Sequence, residues 1–200
     1  MEMKVLTHGL PIRVTDGDEH PATRSDEELV AAARDEPSHF VALYDRYFPR
    51  VHGYVRLRIA DEATCEDITS LVFLTALAKI GSFHGRGSFS AWLFRLAQNA
   101  VYDVYRRRDY NRLAEDTLLA IPDPASGPEE QVLAADAANR LRAVLDTLPA
   151  EQQHLLALRF GAGLSSLEIG RTLGKNPVAI RVSVHRIVAE LRRRYSDEEI

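Results

Sequence analysis

The stretch LSSLEIGRTLGKNPVAIRVSVHRIVAELRRRY, residues 164–195, decides the fold of the C-terminal part of this chain. Ser165 followed by Glu168 forms a capping box, which predicts the start of a short helix, and Gly174 ends that helix. Asn176 then caps a longer helix. A short helix, a tight turn with a glycine and a longer helix with basic exposed positions are typical of a helix-turn-helix.

The two predicted helices combine an apolar side with a basic side. In the longer helix, the apolar stripe at spacings of three and four consists of Ile180, Val184, Ile187, Val188 and Leu191. In the shorter helix we expect Leu167, Ile169 and Leu173 to form the buried face. Residues 171–194 hold seven basic residues and one acid, Glu190. A solvated basic face on a helical bundle would look similar, but the caps, the turn glycine and the charge asymmetry together favour DNA binding.

A second informative stretch, GRGSFSAWLFRLAQNAVYDVYRRR, covers residues 85–108. Ser88 is a good N-cap, and the apolar residues that follow recur at helical spacing. Residues 86–108 contain five arginines and one acid, Asp103. Aromatic rings beside a dense positive charge suit unstacked bases and phosphates. The alternative is a core helix with a basic last turn, which the helix dipole also favours.

The rest of the chain predicts further helices and one break. A capping box at Ser25 opens a helix over 26–34, Pro37 begins a second, and Asp61 caps a third that ends near Gly81. The chain is therefore predicted to be all-α, with two small helical domains joined by a flexible linker, the C-terminal one a helix-turn-helix. The predicted segments are a flexible extension (1–24), an N-terminal domain (25–108), an acidic linker with three prolines (109–130) and a C-terminal domain (131–200). A mobile linker is expected to let the two domains close on each other or on a protein partner, which would hide both basic patches.

Composition excludes several classes of function. The chain has 200 residues, 46% of them hydrophobic, a formal net charge of −4 and one cysteine, which rules out an intrachain disulfide. Its histidines are scattered, and it has neither a Walker-type phosphate loop nor a serine nucleophile elbow. We therefore expect no catalytic residue, no metal and no cofactor. The absence of a long apolar segment predicts no membrane insertion and a cytoplasmic location.

From about Ser25 to Tyr195 the chain resembles bacterial sigma factors of the extracytoplasmic function group. The stretch EDITSLVFLTALAKI, residues 66–80, is similar to the family's segment that docks on the clamp helices of RNA polymerase. The stretch 85–108 is similar to the segment that opens and reads the −10 promoter element, and the helix-turn-helix to the reader of the −35 element. The resemblance implies an alternative sigma factor that binds the beta and beta-prime subunits of core RNA polymerase and promoter DNA.

The resemblance also implies site residues. For the −10 element they are Phe83, His84, Arg86, Ser88, Trp92, Arg95, Asn99, Arg106, Arg107 and Arg108. For the −35 element they are Arg171, Lys175, Asn176, Val178, Arg181, Val182, His185 and Arg186. For core polymerase they are Asp67, Ser70, Leu71 and Leu74.

Two positions depart from the family's pattern. Ser70 and Leu71 replace the usual Gln-Glu, which removes a charge from the docking segment. Val182 and Ser183 stand where the family often has a small polar residue and an arginine, which implies a different −35 preference. The resemblance implies an anti-sigma partner as well. Two alternatives remain: a free-standing helix-turn-helix regulator, or a sigma-like adaptor that binds a protein partner without initiating transcription.

Overall fold

A computed structural model of the chain describes residues 24–83, 88–114 and 143–197, with backbone only for 108–114 and 195–197. All regular secondary structure in these ranges is helical, as the all-α prediction requires. Several predictions lie outside the described residues: the N-terminal extension up to residue 23, the linker from residue 115 onward, and the site residues His84 and Arg86. The side chain of Arg108 lies outside them too.

The N-terminal unit, residues 24–114, begins with two capped helices. Helix α1 spans Asp26–Asp35, and its capping box is present: Glu28 N donates to Ser25 Oγ at 3.2 Å, and Ser25 N donates to Glu28 Oε2 at 2.7 Å. A 3₁₀ turn at Pro37–His39 leads into α2, Phe40–Arg56. The predicted start at Pro37 is therefore a 3₁₀ turn that the α-helix continues.

Two longer helices complete the N-terminal unit. Helix α3 spans Glu62–Lys79, and the backbone N–H of Thr64 donates to its N-cap, Asp61, at 2.8 Å. Helix α4 spans Phe89–Ala114 and is capped by Ser88, whose Oγ accepts from Ala91 N at 3.2 Å. It runs six residues beyond Arg108, the end that the sequence predicted. Residues 109–114 contain no proline or glycine, so nothing in the backbone ends the helix at the arginines.

The C-terminal unit, residues 143–197, contains the predicted helix-turn-helix. Residues 143–146 are helical, α5 spans Ala150–Leu156 and continues into a π-helical turn, and the helix-turn-helix consists of α6 and α7. The remaining bounds are Ala157–Gly161 for the π turn, Ser166–Leu173 for α6 and Pro177–Asp197 for α7. Gly174 ends α6 in the left-handed region, with φ 66°, as a C-terminal glycine should.

One assignment within α6 is wrong. Leu167, predicted to be buried, is 51% exposed, whereas Ile169 is fully buried. Residues two apart in an α-helix point about 200° apart, so the two side chains cannot share a face. In this helix the buried face consists of Ile169, Gly170 and Thr172.

The two units pack side by side. Helix α2 lies against the π turn, and α4 lies against α6. A Cβ built on Gly161 would lie 2.4 Å from the carbonyl oxygen of Gly53, and one built on Gly53 would lie 2.2 Å from that of Gly161. The backbones therefore touch at a point where neither chain segment has room for a side chain.

Candidate nucleic-acid interface

Helix α7 presents the predicted basic face to solvent. Ile180 and Ile187 are buried, while Val184, Val188 and Leu191 pack against the core at its edge. Because this apolar stripe packs on the core, the opposite side of the helix faces solvent. The predicted −35 side chains on that side are all exposed: Val178, Arg181, Val182, His185 and Arg186. The arrangement matches a recognition helix whose N-terminal half is free to enter a major groove.

Two of the predicted −35 residues are partly committed to local contacts. The Oδ1 atom of Asn176 accepts from Val178 N at 2.8 Å, so this oxygen caps the helix. Lys175 Nζ pairs with Glu151 across the surface, and this hydrogen bond holds the pKa of Glu151 below its usual value. Arg181 and Arg186 form no hydrogen bond or ion pair with any residue that the structure describes, so their guanidinium groups are the strongest candidates to bind DNA.

Three aromatic rings cluster where α4 begins. The ring centroids of Phe83 and Trp92 are 5.1 Å apart, and Phe89 lies 5.9 Å from Phe83 and 5.5 Å from Trp92. Phe89 is buried against Tyr47, whereas Phe83 and Trp92 are half-buried. The cluster therefore offers two partly exposed rings at the N-terminal end of α4, and such rings can stack on an unpaired base.

Polar side chains continue from this cluster along α4. Arg95 and Asn99 lie three and seven residues after Trp92, so they share its face, and both are exposed. Arg106 lies two turns beyond Asn99 and donates to Asp103 at 2.8 Å, and this exposed pair leaves its charge available to a stronger anion. Of the predicted −10 residues, the structure thus brings five together on or beside α4: Phe83, Trp92, Arg95, Asn99 and Arg106. Ser88 serves as the N-cap, and Arg107 is exposed.

Helix α3 presents a partly apolar face to solvent. Asp67, Ser70, Leu71 and Leu74 are exposed at spacings of three and four, with Leu71 54% and Leu74 65% exposed. Two exposed leucines on one face cost free energy in water unless a partner covers them.

Exposed apolar side chains of α2 extend this surface, and the sequence patterns considered above did not indicate them. Tyr44 is 38% exposed, and its ring lies 5.2 Å from Phe48 and 4.8 Å from Phe73. Val41 is exposed as well. The spacing of Val41, Tyr44 and Phe48 is itself a helical stripe, so a second apolar face of α2 could have been predicted from the sequence.

Polar contacts across the boundary between the units also escaped sequence analysis. Arg50 Nη2 donates to Glu168 Oε1 at 2.8 Å, and Arg50 Nε donates to the carbonyl oxygen of Ala162 at 3.1 Å. Burial alone would raise the pKa of Glu168, but hydrogen bonds from Arg50 and from the Ser165 backbone hold it below its usual value. These residues lie more than 100 positions apart, and no local signal in the sequence links them.

A buried tyrosine–histidine pair lies at the same boundary. The hydroxyl of Tyr54 and Nδ1 of His154 are 2.9 Å apart, and both residues are buried. Burial, together with the nearby positive charge of Arg58, lowers the pKa of His154 to about 4. Burial raises the pKa of Tyr54. Both groups are therefore neutral at pH 7.

The described residues were also compared with the requirements of a metal site, a reactive cysteine and a membrane-spanning helix. Within the described ranges no three histidine, cysteine or acidic residues come together as metal ligands. Cys65 is buried, and burial raises the pKa of its thiol, which disfavours a reactive thiolate. None of the helices in the described part of the chain is long and apolar enough to cross a membrane.

This geometry, with separate basic faces on two helical units, agrees with two family models that the chain matches. Residues 43–110 match Sigma-70 region 2, and residues 138–191 match Sigma-70 region 4. Together the two ranges cover more than half of the chain.

Individual relatives narrow the group. The chain is 36% identical over 185 residues to the ECF RNA polymerase sigma factor BldN of Streptomyces coelicolor. This match covers 89% of this chain and 70% of the relative. It is 30% identical over 150 residues to the ECF RNA polymerase sigma factor SigD of Mycobacterium tuberculosis, and this match covers 72% of this chain and 71% of the relative. The chain belongs to the extracytoplasmic function group of sigma-70 factors and is an alternative sigma factor that directs transcription initiation.

Two solved structures share the fold. CnrH in complex with the cytosolic domain of CnrY has a TM-score of 0.64 at 21% identity, covering 86% of this chain and 97% of the other. The sigma factor RpoE in complex with the anti-sigma factor NepR from Bartonella quintana has a TM-score of 0.56 at 20% identity. This match covers 77% of this chain and 94% of the other. Sigma factors are known as non-catalytic initiation factors.

Proposed function

We propose a division of labour among three surfaces of this sigma factor. The exposed face of α7 reads the −35 element, the aromatic cluster and polar face of α4 open and read the −10 element, and the exposed face of α3 docks on core RNA polymerase. The observation that carries the proposal is that these three surfaces are separate and exposed. The proposal includes two DNA-reading domains joined by the predicted linker, residues 109–130, of which 109–114 continue helix α4.

The −35 assignment is supported by two exposed cations on the recognition helix. Arg181 and Arg186 lie on the side opposite the buried Ile180 and Ile187. A guanidinium group binds the O6 and N7 atoms of guanine in a bidentate manner, and such a contact is worth about 1–3 kcal/mol of discrimination. Arg181→Ala should therefore relax the −35 preference and leave the −10 preference unchanged.

The −10 assignment is supported by the partly exposed rings of Phe83 and Trp92. Extrusion of a base from the duplex costs a few kcal/mol, and stacking on an aromatic side chain returns about 1–3 kcal/mol per base. Arg95 and Asn99 then supply polar groups on the same face of α4. Permanganate footprinting of holoenzyme on its promoter should show unpaired thymines at −10, and Trp92→Ala should reduce them.

The docking assignment on α3 is supported by its exposed leucines. Leu71 and Leu74 present apolar area to a partner, and Asp67 adds a charge at the same face. Because Leu71 stands in place of the acid usual in the family, docking here would depend more on apolar contact. Tyr44 and Phe48 extend this apolar area onto α2.

Run-off transcription with core polymerase on a promoter library tests the whole proposal. We expect transcripts from a limited set of bipartite promoters, and binding to those promoters that requires core polymerase. Asp67→Arg should weaken core association, measured by gel filtration or fluorescence anisotropy. Tight specific duplex binding by the isolated protein, unchanged by polymerase, would instead indicate a free-standing regulator. Core or partner binding without any transcript would indicate an adaptor.

We further propose that the chain has an anti-sigma partner and acts in the cytoplasm, where polymerase and promoter are. Support comes from the structures that share its fold, since CnrH is in complex with the cytosolic domain of CnrY and RpoE with the anti-sigma factor NepR. A partner that binds the exposed face of α3 would compete with core polymerase. Competition between the partner and core polymerase for the purified protein tests this proposal.

A further inference from the structure

Two valines stand on the face of α7 that otherwise carries charge. Val178 is 57% exposed and Val182 is 60% exposed. They are four residues apart, so they lie one above the other on the first two turns of the helix. Together with Ala179, Ser183, Asn176 and Arg186 they line one shallow groove. Nothing in the described part of the chain covers these apolar side chains.

The surroundings of the valines indicate which partner covers them. Arg181 lies between them in the sequence, and Arg186 lies one turn beyond Val182; both cations are exposed. A stable protein–protein interface buries about 800 Å² on each partner, far more than two isolated valines expose, so this small apolar patch fits such an interface poorly. A polyanion that also offers small apolar groups fits this mixture of charge and apolar surface.

DNA offers one such group in its major groove. The C5-methyl of thymine is the apolar feature of the base edges there, and apolar side chains recognise it by contact. We propose that Val178 and Val182 read thymine methyl groups in the −35 element. This inference rests on the assignment of α7 to that element under the proposed function. It adds that the element contains thymines whose methyl groups, and not only their pairing, are recognised.

The helix geometry sets the spacing of these thymines. Four residues rise about 6 Å along an α-helix, and successive base pairs are about 3.4 Å apart. Because a recognition helix follows the tilted groove and not the duplex axis, the two methyl groups should be one or two base-pair steps apart, on either strand. Arg181 and Arg186 flank them and bind guanine edges or phosphates.

Replacement of thymine by uracil tests the proposal, because it removes the methyl group and leaves base pairing intact. The −35 sequence is first selected from a promoter library with the complete holoenzyme. Each contacted thymine in turn is then replaced by deoxyuridine, and promoter affinity is measured. Burial of one methyl group is worth about 0.8 kcal/mol, so each replacement should weaken binding about fourfold. Deoxyuridine in the spacer between the elements serves as the control.

Protein variants identify the side chain that makes each contact. In Val182→Ala holoenzyme, one thymine position should lose its preference over uracil, and in Val178→Ala a different position should do so. Both valines are exposed and alanine is a better helix former, so neither change should destabilise the fold. Val182→Thr, which keeps one methyl group, should retain part of the preference.

The outcomes separate this inference from the function on which it rests. A selected −35 element in which uracil replaces thymine without loss overturns the role of the valines and leaves the −35 assignment of α7 intact. A methyl effect that persists unchanged in both alanine variants also overturns it. If instead no −35 preference is selected, or Arg181→Ala leaves the preference unchanged, the assignment of α7 itself fails.

Discussion

The contact between Gly53 and Gly161 gives the sharpest test of how the two units pack. A Cβ at residue 161 would lie 2.4 Å from the carbonyl oxygen of Gly53, 2.8 Å from its carbonyl carbon and 2.9 Å from Cα of Tyr54. All three atoms belong to the backbone of α2, so no side-chain rotation relieves the clash. Gly161→Ala therefore forces the π turn and α2 apart by about 1 Å, the difference from an ordinary contact near 3.5 Å.

A displacement of this size affects the other contacts at the boundary. Overpacking of a well-packed site typically costs about 1–3 kcal/mol. The Arg50–Glu168 ion pair and the Tyr54–His154 hydrogen bond both cross the same boundary, at 2.8 and 2.9 Å, and both lengthen if the backbones separate. The buried residues of the two units form one continuous core, so we expect Gly161→Ala to loosen the packing along the whole boundary.

Small-angle scattering and urea unfolding measure these effects. The variant should have a larger radius of gyration and a transition lowered by about 1–3 kcal/mol, or two transitions in place of one. Gly81→Ala is the matched control, because a Cβ there meets nothing within 4 Å. A Gly161→Ala protein as compact and as stable as wild type would show that the units do not pack through these glycines.

Further predictions concern charge, pH and docking. Arg50→Met removes the ion pair with Glu168 and the hydrogen bond to Ala162. It should lower the free energy of unfolding by about 1–3 kcal/mol, because the half-buried carboxylate of Glu168 loses its ion-pair partner. Arg56→Met removes a more exposed ion pair with Glu62 and should lower it less. Because the pKa of His154 is lowered from 6.5 to about 4 in the folded protein, the unfolded chain binds more protons between those values, and stability should fall by up to about 1.4 kcal/mol per unit as pH drops from 6.5 toward 4. Urea titrations of wild type and His154→Asn check this slope, which should be shallower in the variant. Leu74→Asp should weaken binding to core polymerase about tenfold or more without changing thermal stability, because Leu74 is 65% exposed; an unchanged affinity would remove α3 from the docking surface.

Local capping signals in the sequence correctly predicted where α1 and α6 begin and where α6 ends. Both capping boxes, at Ser25 and Ser165, and the C-terminal glycine at 174 are present where the residue types indicated them. These devices act over three or four residues, so the sequence alone determines them. The same local reasoning failed for Leu167, because an eight-residue helix has too few turns for its apolar positions to define one face.

Long-range contacts could not be predicted in this way. Gly53 and Gly161 matter because their backbones meet, and neither has a positive φ or a turn that marks it in the sequence. Pro49 lies within α2, where its missing N–H would ordinarily end a helix; local propensity alone would have broken the helix there. The buried residues around it, Tyr47, Val51 and Tyr54, hold the helix through tertiary packing.

The packed arrangement of the units also changes how inhibition of this sigma factor has to be understood. Closure was expected to hide the basic patches, yet Arg181 and Arg186 on α7 and Arg106 and Arg107 on α4 are exposed while α2 and α4 contact the C-terminal unit. The contact involves Gly53, Gly161 and the buried Tyr54–His154 pair, none of which is among the proposed DNA-reading residues. At concentrations high enough to measure the weak binding of the free protein, a −35 duplex should therefore bind wild type and Gly161→Ala equally. Tighter binding by the variant would show that closure masks α7. Equal binding would mean that an anti-sigma partner inhibits in another way. It would have to cover α3 or α7 directly, or hold the two units at a spacing that no bipartite promoter matches.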